Sequence, residues 1–160
     1  MKIKITVMAG LVLAGALGST ATGDAHVDKA VMAAIKARQA TMTLYAFNIS
    51  LLGNMAKGKI EYDAAAAGAA AASLAKLTTT DQSRMWPMGS DNETLGDATA
   101  ALPAIWQSGS KAGAIGGDLA KAAAALEGAA GQGLDVLRGA IGPVGKACKA
   151  CHEDYRKSES

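Results

Sequence analysis

Two cysteines and a histidine stand close together near the C-terminal end of the sequence. The stretch KACKACHEDYRK, residues 146–157, contains Cys148, Cys151 and His152, and the sequence has no other cysteine. Residues three apart on a helix project from nearly the same face, so the two thiols would point in one direction. Thiolates and imidazoles are nucleophiles and metal ligands, so this segment is the first candidate for chemistry.

Four uses of such a segment can be compared. A redox dithiol usually lies in a βαβ context, which the sequence does not offer. A structural zinc site needs about four protein ligands, and beyond these three the chain offers only the distant His26. A disulfide between residues so close closes too small a loop to add much stability. The fourth use is covalent haem attachment, whose signature is C-x-x-C-H: both thiols form thioethers with the vinyl groups and the imidazole coordinates iron. We favour this use.

The N-terminal stretch has the layout of a secretory signal. Two lysines precede an apolar run over residues 5–17, which is short for a membrane span, and small residues follow. Cleavage after Ala25 fits the small-x-small pattern, and cleavage after Ala21 is the alternative. We therefore expect residues 1–25 to be a cleaved signal peptide and residues 26–160 to form one exported, periplasmic domain. An uncleaved membrane anchor is the less favoured interpretation.

The composition of the 160-residue chain favours helices. Half of the residues are hydrophobic, only 4% are aromatic, and Ala and Gly dominate. Ala is the best helix former, and neither residue favours strands. The net charge of +2 provides no strongly basic or acidic field, so we expect neither nucleic acid nor a membrane surface as a partner.

Apolar residues recur three and four apart in four segments. The predicted helices run from about Val27 to Met55, from the N-cap Asp63 to Leu77, from near Pro103 onwards, and from near Gln132 onwards. A long polar connection separates the second helix from the third, and such connections are often functional. We predict an all-α, antiparallel four-helix bundle with covalently attached haem. Both cysteines should lie on the buried seam of the fourth helix, with a kink upstream at Pro143.

Several stretches resemble those of the cytochromes c′, c-type cytochromes whose attachment motif lies near the C-terminal end of a four-helix bundle. They are RQATM at 38–42, LYAFNISLLGNMAKG at 44–58, WPMGSD at 86–91, PAIW at 103–106 and GKACKACHEDYRK at 145–157. The resemblance covers essentially all of the expected mature chain. It implies one covalently attached haem c.

The resemblance also implies roles for individual residues. Cys148 and Cys151 would be the thioether anchors, and His152 would be the proximal iron ligand. Arg38 and Gln39 match a pair beside the haem edge, where Arg38 could hold a propionate. A haem carboxylate would give an inward arginine a physical reason to be buried.

Four further positions match pocket residues of the family. Trp86 stands where an aromatic side chain often packs against the porphyrin, and Arg156 matches a residue near the proximal imidazole. Arg156 could equally be an exposed cation favoured by the helix dipole. The loop from Gly89 to Thr94 could offer donors near the propionates, although for Glu93 and Thr94 a solvated loop is the better interpretation. Two aromatic residues, Trp106 and Tyr45, are expected to be ordinary core or interface residues.

Met42 matches the position that faces the open side of the iron. In five-coordinate members an apolar residue there crowds the distal face and still admits nitric oxide or carbon monoxide, whereas in low-spin relatives a methionine there ligates the iron. The Arg38–Gln39 pair and the Trp86 loop resemble the high-spin group, so we favour an unligated Met42. Further candidates for a sixth ligand are less favoured: Met55, Met85 and Met88.

Three functions remain, in order of preference. The first is a gas-binding haem protein that can also transfer electrons to an unidentified redox partner, and the second is a dedicated electron carrier with Met42 bound to iron. The third is an enzyme such as a peroxidase, which needs a polar distal acid or base and finds only Arg38. We therefore expect no enzymatic activity. The resemblance suggests a homodimer through the first two helices, with an apolar patch from Tyr45, Phe47 or Leu51, and a monomer is the alternative.

Overall fold

The computed structural model describes the backbone of residues 23–158 and the side chains of residues 29–158. This part of the chain is mostly helical, with α1 at Gly23–Ala56, α2 at Ala64–Thr79, the one-turn α3 at Asn92–Leu95, α4 at Ala112–Ala129 and α5 at Leu134–Tyr155. Its only β-pairing is an isolated bridge between Ala101 and Arg156, so the prediction of an all-α fold is confirmed. Residues 1–22, most of the predicted signal peptide, lie outside the described residues. None of the described helices is long and apolar enough to cross a membrane.

The four long helices form the predicted four-helix bundle. Helix α1 packs against α2 and α5, and α4 packs against the same two helices. Short turns join α1 to α2 and α4 to α5, so the members of each pair run antiparallel. Residues 80–111, here called the connection, link α2 to α4 and contain α3 and the 3-10 turns Ser83–Met85, Gly96–Ala98 and Pro103–Trp106.

Helix α2 begins at the predicted cap and uses alanine as its core residue. The Asp63 carboxylate accepts a hydrogen bond from the Ala66 N–H at 2.8 Å, which satisfies one of the unpaired donors of the first turn. Most of the buried positions of α2 are alanines: Ala67, Ala70, Ala71 and Ala75. Such short side chains let α1 and α4 approach the α2 backbone closely.

A tyrosine holds together the end of the bundle where the two short turns meet. The Tyr62 hydroxyl donates to the Ala130 carbonyl at 2.8 Å and accepts from the Gly133 N–H at 2.9 Å. This pair of bonds fixes the α1–α2 turn to the start of α5 and leaves the other end of the bundle to form the site.

The third long helix does not begin where the sequence predicts. Pro103–Trp106 is a separate 3-10 turn, and α4 begins only at Ala112. Gly109, with a φ of 89°, lies between them in a conformation that ends regular helix. The prediction of a helix from Pro103 is therefore wrong, and Ile105 belongs to the connection.

Helix α5 presents its predicted apolar seam. Leu137, Val144 and Tyr155 are buried, whereas Cys148 and Cys151 are only half-buried. The helix continues through Pro143, which is exposed. The two thiols lie where the buried seam opens into a cavity.

Candidate haem site

A cavity of about 700 Å³ opens between α1, α4, α5 and the connection. This volume falls in the range of cofactor and ligand pockets. Its lining is mostly apolar and comes from four parts of the fold: Met42, Tyr45, Ala46 and Ile49 from α1; Thr78, Thr80, Gln82, Ser83, Trp86, Ile105 and Trp106 from the end of α2 and the connection; Ala112, Gly113, Ile115, Gly116 and Leu119 from α4; and Gly145, Ala147, Cys148, Cys151 and His152 from α5.

The α5 wall brings together the three residues of the predicted attachment motif. Cys148 and Cys151 are free, and burial raises the pKa of both thiols. Burial and the nearby Arg156 lower the pKa of His152, which favours the neutral imidazole that binds metals. Within the described residues no group of three or more His, Cys, Asp or Glu is placed so that it could hold a metal ion.

Four side chains of α1 line the cavity: Met42 and Tyr45, and one turn further along the helix Ala46 and Ile49. Met42, Ala46 and Ile49 offer hydrocarbon and one thioether. Tyr45 is 6% exposed, and its hydroxyl donates to the Leu77 carbonyl at 3.2 Å and accepts from the Gln82 amide at 2.6 Å. Because protein groups occupy this hydroxyl, the α1 wall presents little free polarity to the cavity.

The α4 wall leaves room for a large flat group. Gly113 and Gly116 line the cavity, and a Cβ added at either position would meet no heavy atom within 4 Å. A wide apolar cavity with two thiols and an imidazole on one wall fits haem, whose ring is apolar and whose covalent attachment uses two cysteines and a histidine. The donor set and the free space agree with the sequence prediction.

Two tryptophans on the connection form one side of the cavity. The ring centroids of Trp86 and Trp106 are 6.3 Å apart at an angle of 53°, and the Trp106 indole N–H donates to the Trp86 carbonyl at 3.0 Å. Trp86 lines the cavity. Trp106, which was expected to be an ordinary core or interface residue, lines the cavity too. The sequence did contain a signal for this, because Trp106 belongs to the PAIW stretch that resembles the cytochromes c′.

Arg38 does not line this cavity. It is 3% exposed, and its guanidinium donates to Ser90 Oγ at 2.7 Å and to Thr99 Oγ1 at 2.6 Å. It also donates to the main-chain carbonyls of Met85 and Ser90. Burial lowers the pKa of Arg38, and the charge of Asp91 partly offsets this.

The other predicted pocket residues do not line the cavity that contains Cys148, Cys151 and Met42, here called the main cavity. Gln39 is exposed and donates to the Ala98 carbonyl at 3.1 Å. Glu93 and Thr94 are exposed in α3, where the Thr94 N–H donates to the Asp91 carboxylate. Arg156 lines a second cavity of about 740 Å³, together with His152, which lines both cavities.

The other candidate methionine ligands do not line the main cavity either. Met55 is buried in the bundle core, and Met88 is 75% exposed. The Met85 sulfur accepts a hydrogen bond from the Thr41 hydroxyl at 3.6 Å. Among the methionines within residues 29–158, Met42 is the one that shares the cavity with His152.

Comparison with known proteins agrees with this geometry. The family model described as Cytochrome C′ matches residues 33–156, which include α2, the connection, α4 and the whole CKACH segment. The chain belongs to the cytochrome c′ family. Members of this family carry covalently attached haem c, which is therefore the cofactor of this chain.

The alignments with individual relatives span most of this chain. A cytochrome c′ of Cereibacter sphaeroides is 42% identical over 85% of this chain and 94% of its own length. A cytochrome c-554 of Cereibacter sphaeroides is 39% identical over 78% of this chain and 93% of its own length. The solved structure of a cytochrome c′ from Rhodobacter Spheriodes superimposes with a TM-score of 0.77 at 40% identity, covering 81% of this chain and 98% of that one. The predicted fold and family are confirmed.

Proposed function

We propose that this chain is a periplasmic haem protein whose five-coordinate iron binds small gases, such as nitric oxide and carbon monoxide, and can transfer electrons. The observation that carries the proposal is the cavity, which has Cys148, Cys151 and His152 on one wall and a weakly polar wall with Met42 on another. Haem supplies an iron that can bind a diatomic gas and exchange one electron.

The residues of α5 hold the cofactor in this proposal. Cys148 and Cys151 provide the two thioether sulfurs, and His152 provides the nitrogen ligand. All three belong to one continuous helix, so the helix fixes the orientation of the ring. The roles of Arg38, Gln39, Trp86, Glu93, Thr94 and Arg156 around the haem remain predictions.

The α1 wall selects the ligand. Met42, Ala46 and Ile49 provide no acid or base, and the Tyr45 hydroxyl is bonded to Leu77 and Gln82. Such a wall disfavours ligands that need hydrogen bonds and leaves small gases as candidates. It also supports the expectation that the protein is not an enzyme, because acid–base catalysis needs a free polar group near the substrate.

The alternative function is a six-coordinate electron carrier, and the observation in its favour is the position of Met42. Met42 lines the same cavity as His152, and a thioether is a common second axial ligand of c-type haem. In this alternative the methionine raises the reduction potential and excludes gases.

Relatives support gas binding and dimerisation. A ferrous variant of the cytochrome c′ from Alcaligenes xylosoxidans, 32% identical to this chain, was solved with bound NO. Another cytochrome c′, 28% identical, shows ligand-controlled dimer dissociation. By analogy we propose that this chain forms a homodimer through α1 and α2. The predicted signal peptide supports the periplasmic location.

The visible absorption spectrum tests the proposal most directly. The exported protein is purified and measured oxidised and reduced, before and after carbon monoxide is added. We expect a broad, high-spin reduced spectrum that shifts with carbon monoxide. A sharp low-spin spectrum that does not respond to the gas would establish the electron carrier instead, with Met42 as the first candidate for the sixth ligand.

A further inference from the structure

The guanidinium of Arg38 joins α1 to the connection. All four of its hydrogen-bond acceptors belong to the connection: the carbonyls of Met85 and Ser90 and the hydroxyls of Ser90 and Thr99. These residues are distant from Arg38 in sequence, so one side chain gathers two separate parts of the connection. Ser90 and Thr99 are themselves buried.

The same guanidinium lies against both tryptophans of the cavity wall. Its central carbon is 4.8 Å from the centroid of Trp86 and 6.0 Å from that of Trp106, within the range of cation–π contacts. The indole N–H of Trp106 donates to the Trp86 carbonyl, so the two rings are also linked to each other. Arg38 therefore supports the tryptophans from behind, because they line the cavity and it does not.

We propose that Arg38 is a positioning residue that holds the connection closed and keeps Trp86 and Trp106 in the cavity wall. This role is distinct from the predicted binding of a haem carboxylate, because it uses the contacts that the guanidinium makes with the protein acceptors of the connection and with the two indole rings. Arginine suits this positioning role because its planar guanidinium offers a fork of hydrogen-bond donors and a flat surface for stacking. A lysine would supply neither. The inference rests on the proposed function only in taking the cavity as the haem site.

Limited proteolysis of the haem-loaded protein measures the closure of the connection. Arg84 is exposed and is the only lysine or arginine between residues 77 and 110, so within that stretch trypsin can cut only after Arg84. The Met85 carbonyl, on the residue after this bond, accepts from Arg38 at 3.3 Å. Cleavage should therefore depend on how often the connection opens.

Two variants remove the contact from opposite sides. Arg38→Gln removes the charge and most donors, and the double variant Ser90→Ala/Thr99→Val removes both side-chain acceptors while retaining the arginine. We expect each to increase the rate of cleavage after Arg84 by about tenfold or more, since hydrogen bonds to charged groups are the stronger class. Arg38→Lys should give an intermediate rate.

The matched control is Arg138→Gln. Arg138 lies on α5 and donates to the Ala56 carbonyl and to Asp135, far in sequence from the connection, so its loss should leave the cleavage rate unchanged. The fluorescence of the two tryptophans should shift in the Arg38 and Ser90/Thr99 variants and remain at the parent value in the control.

The outcomes separate this inference from its rivals. If Arg38→Gln is cleaved faster and Ser90→Ala/Thr99→Val is cleaved at the parent rate, the contacts of Arg38 with Ser90 and Thr99 do not hold the connection closed and the proposal is overturned. Equal rates in the parent and both variants overturn it as well. If Arg38→Gln does not fold, the double variant alone decides. Proteolysis does not depend on whether the iron binds carbon monoxide, so a failure of the proposed function is seen separately in the absorption spectrum.

Discussion

The three functional groups of the CKACH segment differ in their exposure to solvent. Cys148 and Cys151 are half-buried in the cavity wall, whereas His152 is exposed and also borders the second cavity. Although His152 is exposed overall, partial desolvation of its imidazole and the charge of Arg156 both lower its pKa and disfavour the protonated form. The histidine is thus held in its ligand form at the mouth of the cavity.

Replacing His152 tests the central assignment at the scale of one residue. In His152→Ala the two thioethers still attach the haem, but the proximal nitrogen is lost, so the absorption spectrum should change completely. His26→Ala removes the other histidine of the sequence and should leave the spectrum as in the parent. An unchanged spectrum in His152→Ala would contradict the assignment of the iron ligand.

Met42 lines the cavity from α1, and we predict that it restricts access to the iron. In Met42→Ala the shortened side chain should increase the rate of carbon monoxide binding by about tenfold, which corresponds to removing about 1.4 kcal/mol of steric barrier. Stopped-flow or flash photolysis measures this rate. Met32→Ala removes a methionine of the same helix that does not line the cavity, and it should bind carbon monoxide at the parent rate. Equal rates in Met42→Ala and the parent would mean that Met42 does not restrict access.

Among single residues, those of the C-x-x-C-H pattern were the easiest to identify as candidates, and the structure places all three on one cavity wall. The C-x-x-C-H spacing is a local pattern, so it identified Cys148, Cys151 and His152 without knowledge of the fold. The surroundings of Arg38 could not be predicted, because Ser90 and Thr99 reach it only after the connection has folded back over α1. Trp106 was expected to be an ordinary core or interface residue for the same reason.

The elements follow from local rules wherever their signals are local. Asp63 caps α2 as predicted, and the alanine run that follows is helical throughout. The predicted start of the third long helix was wrong, because Pro103 is an equally good first residue of a 3-10 turn. The positive φ of Gly109 separates this turn from α4, and the pairing of Ala101 with Arg156 fixes the chain just before it to the end of α5.

A second cap gives the connection its own dependence on pH. The Asp91 carboxylate accepts from the Thr94 N–H at 2.8 Å and from the Thr94 hydroxyl at 3.1 Å, and these bonds lower the pKa of Asp91 below its usual 3.8. A lowered pKa stabilises the fold above pH 3.8, and this contribution is lost as the pH falls through the folded-state value. The connection should therefore loosen at acid pH.

Asp91→Asn tests this linkage. The amide oxygen can still cap α3 but carries no charge, so the variant should be less stable than the parent at pH 7. The difference in urea midpoint should shrink as the pH falls below 3.8. Asp135→Asn removes the charge of an exposed carboxylate on α5, outside the connection, and is measured in parallel as the control for the loss of one negative charge. A constant difference between Asp91→Asn and the parent at all pH values would contradict a role for the Asp91 charge.

The whole molecule exposes an apolar strip on the outer face of α1. Phe47 is 73% exposed and Leu44 is 47% exposed, and Leu51 follows on the same face one turn later. Tyr45, expected to contribute to this patch, is instead buried and faces the cavity. Such a strip on one of the two helices proposed to pair two subunits supports the homodimer.

Phe47→Glu tests the dimer. A charge at the centre of the strip would be buried without a partner, so the dissociation constant should rise at least about thirtyfold, equivalent to the roughly 2 kcal/mol that an interface anchor contributes. Sedimentation equilibrium measures the constant. Met88→Glu alters an equally exposed apolar residue on the connection and should not affect assembly. A parent that sediments as a monomer would exclude the homodimer directly.

The C-terminal end of α5 is also joined to the connection. The Leu102 N–H donates to the Tyr155 carbonyl at 2.9 Å, and the Lys157 N–H donates to the Ala100 carbonyl at 2.8 Å. Together with the Tyr45–Gln82 and Arg38–Thr99 bonds, this bridge divides the connection into short spans with fixed ends. Short spans have little chain entropy to gain by detaching. In the intact protein we therefore expect a gas to enter through side-chain rotations, on the picosecond to nanosecond timescale, and not through the slower swing of a loop.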